Sequence, residues 1–129
     1  MGISLGAIAG ALGRYYVAIA VNDLCGHWLA NPGGDAFPLG TMVVNLTGAF
    51  GLGFFVTWTL SKTQISTELE QTIVVGFFGA YTTFSTYELE TETLLADHAW
   101  LLMAIYWGGT AILGVLCLEA GSFFARKVS

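Results

Sequence analysis

The chain has 129 residues, 55% of them hydrophobic and 10% charged, with a formal net charge of −5. A soluble domain carries about 25% charged residues, so little of this surface is built to meet water, and a soluble globular protein is excluded. With four basic residues there is no basic patch to neutralise phosphates, which excludes nucleic acid as a partner.

Length and composition fit one membrane domain over 1–129. Crossing about 30 Å of hydrocarbon takes roughly 20 helical residues, and four runs are long enough: about 3–22, 39–60, 70–95 and 100–124. The apolar N-terminus lacks the basic lead of a signal peptide and reads as a retained first span. Asn31–Asp35, "NPGGD", is a cluster of turn formers between the first two runs. Ser61–Glu68 is a polar connection, and Thr67 with Glu70 has the spacing of a capping box that starts the third helix. Ala96–Trp100, "ADHAW", separates the last two. Trp28, Trp58 and Trp100 fall near span ends, where an amphipathic ring prefers the headgroup level. Cys25 and Cys117 are far apart in sequence, and His27 and His98 lie in connections, which argues against a disulfide or a zinc site.

Gly2, Gly6 and Gly10 repeat every fourth residue; Gly48, Gly51 and Gly53 line the second run, and Ala104, Gly108 and Gly109 mark the fourth. Small faces let helix backbones approach in lipid. Four short glycine-rich spans enclose little interior alone, so an oligomer is the expected working unit. The termini and Lys62 share a side in a four-span chain, and the positive-inside rule leans toward the cytoplasm for that side, with few charges voting.

Polar groups inside apolar runs are costly unless paired, and are functional hypotheses by default. Arg14 sits mid-span, roughly 18 Å from the N-terminal end at 1.5 Å per residue. Two readings stand: an electropositive point facing a vestibule, or a structural hydrogen-bonding group. Asn45 lies one turn from Thr41 and three residues before Gly48. Its amide could donate to a dehydrated anion or to a neighbouring helix. The third site is "GFFGAYTTFSTYE", Gly76–Glu88, where Thr82, Thr83, Ser85 and Thr86 follow two glycines. Thr82 is about 22 Å along a helix from Thr67, near the bilayer midplane. The hydroxyls could simply bond carbonyls one turn back. The stretch nevertheless holds a helix poorly, and a break would free main-chain carbonyls to line a cavity or bind an ion. Phe84 and Tyr87 share a face, and ring edges turned into a narrow pore favour an anion. No nucleophile–base pair or phosphate loop is present. The chemistry is donors without a strong base: a path rather than an enzyme.

"GALGRYY" (Gly10–Tyr16), "GTMVVNLTGAFGLGF" (Gly40–Phe54) and "GFFGAYTTFSTYELE" (Gly76–Glu90), in that order on four short spans, resemble the Fluc (CrcB) fluoride channels. The resemblance covers essentially the whole chain. It implies an all-α membrane fold, with the third helix broken near the midplane, assembled as an antiparallel dual-topology homodimer in the cell membrane. Two fluoride-selective pores would run along the subunit interface and export toxic fluoride passively. By this resemblance Asn45 is the pore asparagine, Phe84 and Tyr87 hold the two positions of a pore aromatic box, and Ser85 and Thr86 lie between them. Tyr106 matches a tyrosine near the pore, and Thr110 a polar-track position. Thr41 joins that set, and Arg14 matches the basic residue of span one. A structural Na+ at the dimer centre would rest on main-chain carbonyls of Gly79 and Thr82.

Two departures stand out: Tyr87 replaces a phenylalanine of the family, and Glu88 is an extra carboxylate beside the path, while Glu90 matches the family's glutamate. Glu88 keeps an alternative open, a small proton-coupled exporter. A further one is a non-conducting subunit of a heterodimer.

Overall fold

A computed structural model of the chain describes residues 1–25, 37–61 and 65–128. Among these residues all regular structure is helical. Helix α1 spans Gly2–Cys25 and α2 spans Leu39–Leu60. The third apolar segment is composite: α3, Thr67–Gln71, a π-helical stretch, Thr72–Phe78, and a last turn, α4, Gly79–Tyr81. After two extended residues the chain resumes as α5, Phe84–Ala96, and returns as α6, Trp100–Val128. Three helices, α1, α2 and α6, are long and apolar enough to cross a membrane. With the divided third segment they make a multi-pass all-α membrane protein. Exposed Leu5, Ile8, Leu101, Ile112 and Val115 stud the outer faces, where a soluble fold would place charge.

The capping box expected of Thr67 and Glu70 gives way to a simple N-cap one residue earlier. Ser66, not Thr67, is the N-cap of α3, and its hydroxyl accepts from the Leu69 N–H at 3.3 Å. Two adjacent hydroxyl residues offer the same chemistry, and the extended backbone of Ser66 decides between them. The predicted "NPGGD" turn and Trp28 lie outside the described residues. Helices α1 and α6 run three and four residues past the expected ends, to Cys25 and Val128.

Contacts between helices give the direction of each. Asn22 near the end of α1 accepts from the Gly40 N–H at 2.9 Å, satisfying an orphan donor in the first turn of α2. Helices α1 and α2 are therefore antiparallel. The α1 glycines Gly6 and Gly10 sit on the main chain of Thr72 and Phe77, so α1 runs parallel to the π-helical stretch. Phe37, just before α2, packs on Tyr106 near the start of α6 with ring centroids 5.6 Å apart, and Gly53, late in α2, seats the Leu118 carbonyl further along α6, so α2 and α6 are parallel. The chain thus runs up, down, up and down, with Gly2 and Val128 at one end.

The turn into α6 is a Schellman motif: Ala99 N–H bonds the Leu94 carbonyl at 2.9 Å and His98 N–H bonds that of Leu95 at 3.1 Å. His98, at φ 58°, takes the left-handed position usually given to glycine.

The α1 and α2 glycine stripes are consumed inside the chain, by close backbone packing between its own helices. Gly108, Gly109 and Gly114 of α6 are the exception, with open space where a Cβ would stand. Gly10→Ala would drive a methyl into the Phe77 carbonyl, whereas at Gly13 it would rest 3.4 Å from the Tyr81 ring. We expect Gly10→Ala to cost about 1–3 kcal/mol, as overpacking does. Gly13→Ala should leave the thermal midpoint of the detergent-solubilised protein within about 2 °C of wild type, a surface-scale change.

Candidate functional site

The site is built around the interruption between α4 and α5. Thr82 (φ −79°, ψ 157°) and Thr83 (φ −145°, ψ 117°) are extended, a conformation that suits β-branched side chains. Leaving the helix strips main-chain groups of their partners, and in an apolar setting each unsatisfied group costs about 1–3 kcal/mol. Asn45 of α2 supplies the replacement. Its Oδ1 accepts from the Thr83 N–H at 2.8 Å and its Nδ2 donates to the Thr83 carbonyl at 3.1 Å. One side-chain amide thus acts as a neighbouring strand would. Thr83 in turn caps α5: its Oγ1 accepts from Thr86 N–H at 3.3 Å and donates to Thr86 Oγ1 at 2.9 Å.

This pairing has a consequence for two other carbonyls. In a continuous helix the Gly79 carbonyl would receive the Thr83 N–H and the Thr82 carbonyl that of Thr86. Both donors are diverted, to Asn45 and to the Thr83 hydroxyl. Gly79 is exposed on the chain's surface and Thr82 half-buried. Among the described residues no group of three His, Cys, Asp or Glu side chains is placed to hold a metal. A cation here would rest on such main-chain oxygens, hard ligands of the kind an alkali or alkaline-earth ion takes.

Beyond the break lies a cleft of about 570 Å³ between α2, α5 and α6. Asn45, Thr82, Thr83, Glu88 and Thr110 are its polar lining, Phe84, Tyr87 and Trp107 its aromatic lining, and Ala111, Gly114 and Leu118 part of its apolar wall. Phe84 is 74% exposed, with one side of its ring against Tyr87 (centroids 5.9 Å apart), while Tyr87, at 7%, is buried. The Tyr87 hydroxyl donates to the Trp107 carbonyl at 2.6 Å, and its ring packs on Tyr106 with centroids 5.3 Å apart. Thr110 Oγ1 is buried and without a hydrogen-bond partner among the described residues. A helical threonine ordinarily bonds back to its own helix. The Thr110 hydroxyl and the second amide proton of Asn45 are therefore spare capacity on the cleft wall.

Not every candidate from the sequence meets here. Thr41 and Tyr106 are buried behind the cleft, where both grip Glu90: Thr41 Oγ1 donates to Oε1 at 2.8 Å and Tyr106 OH to Oε2 at 2.6 Å. Ser85 is exposed and Thr86 is engaged with Thr83; neither lines the cleft. Arg14 is half-buried on α1 and has no ion pair or hydrogen bond among the described residues. The residues that sequence reasoning under-weighted are Thr83, whose main chain is the hinge of the break, and Glu90, a carboxylate shared by two hydroxyls. Glu90 lies three residues past Tyr87, on the same face of α5, which is the signal that could have found it.

The sequence has relatives along almost its whole length. The model of the family described as "CrcB-like protein, Camphor Resistance (CrcB)" matches residues 1–122. The chain belongs to the CrcB family. It is 46% identical over 125 residues to the fluoride-specific ion channel FluC of Trichormus variabilis, covering 96% of this chain and 85% of the relative. It is 40% identical over 124 residues to FluC of a Synechococcus species, covering 96% and 89%. FluC 1 of Moorella thermoacetica is 37% identical over 124 residues, covering 96% and 83%. This CrcB family is one of ion channels by the names of its members, not one of enzymes.

Two substitutions test the geometry. Asn45→Ala leaves the Thr83 N–H and carbonyl bare, and we expect a loss of about 2–4 kcal/mol on the scale of two unsatisfied buried groups, read as a lowered thermal midpoint in detergent. Tyr87→Phe removes one hydrogen bond and no ring packing, and should cost about 1 kcal/mol. Equal losses from the two would contradict the central place given to Asn45.

Proposed function

We propose that this chain forms a passive fluoride-selective channel in the cell membrane and exports toxic fluoride down its gradient, conferring fluoride resistance. The working unit is an antiparallel, dual-topology homodimer with two pores along the interface and a structural Na+ at its centre. The observation that carries this reading is the cleft at the break, with spare donors on Asn45 and Thr110 beside an exposed Phe84. The names of the relatives support the choice of ion.

Fluoride is small, strongly hydrated and a strong acceptor. A lining that conducts it must replace water with directed donors in a bore too narrow for larger anions. In a single chain the cleft is open and its donors are few. A second copy across the face that holds Gly108 and Gly114 would narrow it and double the donor set. The edge of Phe84 would add the positive rim of its quadrupole. Tyr87 contributes a fixed wall, since its proton is already committed to Trp107. Glu90, with both oxygens occupied by hydroxyl donors, sits behind this wall beside Thr41 and Tyr106. Na+, when bound, would rest on the main-chain carbonyls of Gly79 and Thr82 and offset their negative ends. Arg14, unpaired within the chain, would raise the local potential for an approaching anion.

The presence of Glu88 on the cleft lining favours one second reading, a proton-coupled exporter in which this carboxylate exchanges a proton. The deciding experiment is efflux from liposomes holding the purified chain, under a potassium gradient with valinomycin, comparing fluoride with chloride. We expect rapid fluoride efflux, no chloride efflux and no need for an imposed proton gradient. Asn45→Asp, which puts an acceptor where a donor is needed, should lower fluoride efflux at least tenfold. Flux that requires a proton gradient and disappears in Glu88→Gln would establish the exporter instead. Silence toward both ions would point to a chain that needs a different partner.

A further inference from the structure

We propose that Tyr81 is a positioning residue for the main-chain cation site, acting through its hydroxyl pair with Thr47; this rests on the sodium reading above.

Residues 79–83 carry the two carbonyls whose helical donors are diverted. Such a segment needs to be held at both sides if its oxygens are to converge. On the far side the hold is Asn45 on Thr83. On the near side it is Tyr81. The Tyr81 hydroxyl lies 3.0 Å from Thr47 Oγ1. Thr47 gives its own proton to the carbonyls of Val43 and Val44, at 2.7 and 3.2 Å. A hydroxyl has one proton to give, so in this pair Tyr81 donates and Thr47 accepts. The Tyr81 ring stacks on Phe77 with centroids 5.6 Å apart and planes 10° apart. It also occupies the notch at Gly48, where an added Cβ would come within 3.1 Å of the ring, and lies along Gly13 of α1 at 3.4 Å. The methyl of Thr82 fills the rest of the Gly48 notch. Tyr81 is thus fixed at its ring by α1, α2 and the π-helical stretch, and at its tip by α2.

Helix α2 therefore grips the chain on both sides of Thr82. Between those grips lies the Thr82 carbonyl, and two residues before Tyr81 lies that of Gly79. Cation ligands are useful only when held within about 0.5 Å of the bound geometry by groups that are themselves locked. Loosening one grip leaves the ligands in place but makes binding do the ordering, which lowers affinity without removing the site.

The test uses full-length protein in detergent and Na+ as the probe. Thermal unfolding is followed as NaCl replaces choline chloride at constant ionic strength. The wild type is expected to gain stability with Na+. In Tyr81→Phe, and equally in Thr47→Val, the NaCl concentration giving half that gain should rise about threefold to tenfold, the worth of one neutral hydrogen bond. The double variant should be no worse than either single one, since both remove the same bond. A wild type that responds while both variants keep its midpoint, or a double variant whose shift is the product of the two, overturns the proposal. A wild type blind to Na+ overturns the sodium reading and this inference with it, whatever the liposome assay shows for fluoride. If Tyr81→Phe fails to fold, Thr47→Val alone decides.

Discussion

The structure depends on one side-chain amide meeting one peptide across the break. Remove the pairing of Asn45 with Thr83 and the extended residues leave an N–H and a carbonyl bare in an apolar surround, a cost that no packing nearby offsets. With it, the main chain can leave the helix, turn through two residues and start again. Everything downstream inherits its position from that restart. Thr83 caps α5, and the register of α5 then puts Tyr87 under the Trp107 carbonyl and Glu90 between Thr41 and Tyr106. A shift of one residue would turn both side chains about 100° away from those partners.

The same interaction sets how much chemistry a single chain has to offer. An asparagine amide has two protons and an acceptor oxygen. Bracing the break uses the oxygen and one proton, and leaves one proton over. Three tyrosine hydroxyls near the break are spent as well, Tyr87 on a carbonyl, Tyr106 on a carboxylate and Tyr81 on Thr47. What remains toward the cleft is one amide proton, the Thr110 hydroxyl and aromatic edges, too few to replace the shell of a strongly hydrated anion. A binding site this incomplete on a face this apolar is the strongest physical argument for a second copy, and it is independent of any glycine stripe. The stripes of α1 and α2, which suggested association in the sequence, are filled by the chain's own third segment and α6.

Four apolar runs were legible because span length is a property of composition over twenty residues, and local detail barely affects it. Features that hinge on which of two similar neighbours wins were not. Ser66 and Thr67 are equally good caps on paper, and only the backbone distinguishes them. The left-handed corner at His98 carries none of the glycine that would announce it, since its Schellman bonds are main-chain and indifferent to the side chain. The π-helical winding of Thr72–Phe78 has no sequence signature; it is where the glycine face of α1 presses on the main chain. Asn45 could be flagged as a misplaced polar group, but whether its amide is spent or spare depends on Thr83, 38 positions away. Glu90 shows the limit from the other side: its carboxylate was visible, while the two hydroxyls that occupy it come from α2 and α6.

The acids pose the last question. A chain of net charge −5 is a poor starting point for passing an anion, and two carboxylates lie close to the cleft. Their settings differ. Glu90 has a hydroxyl donor on each oxygen and is walled off behind Tyr106, so its lone pairs are turned inward and its charge is spread over two hydrogen bonds. Glu88 has no such partners among the described residues and faces the cleft itself. In the single chain it stands exposed on the open cleft; covered by a second copy, it would not. A carboxylate tolerable on an open wall becomes a barrier once the wall closes, unless the closing surface brings it a donor or a cation.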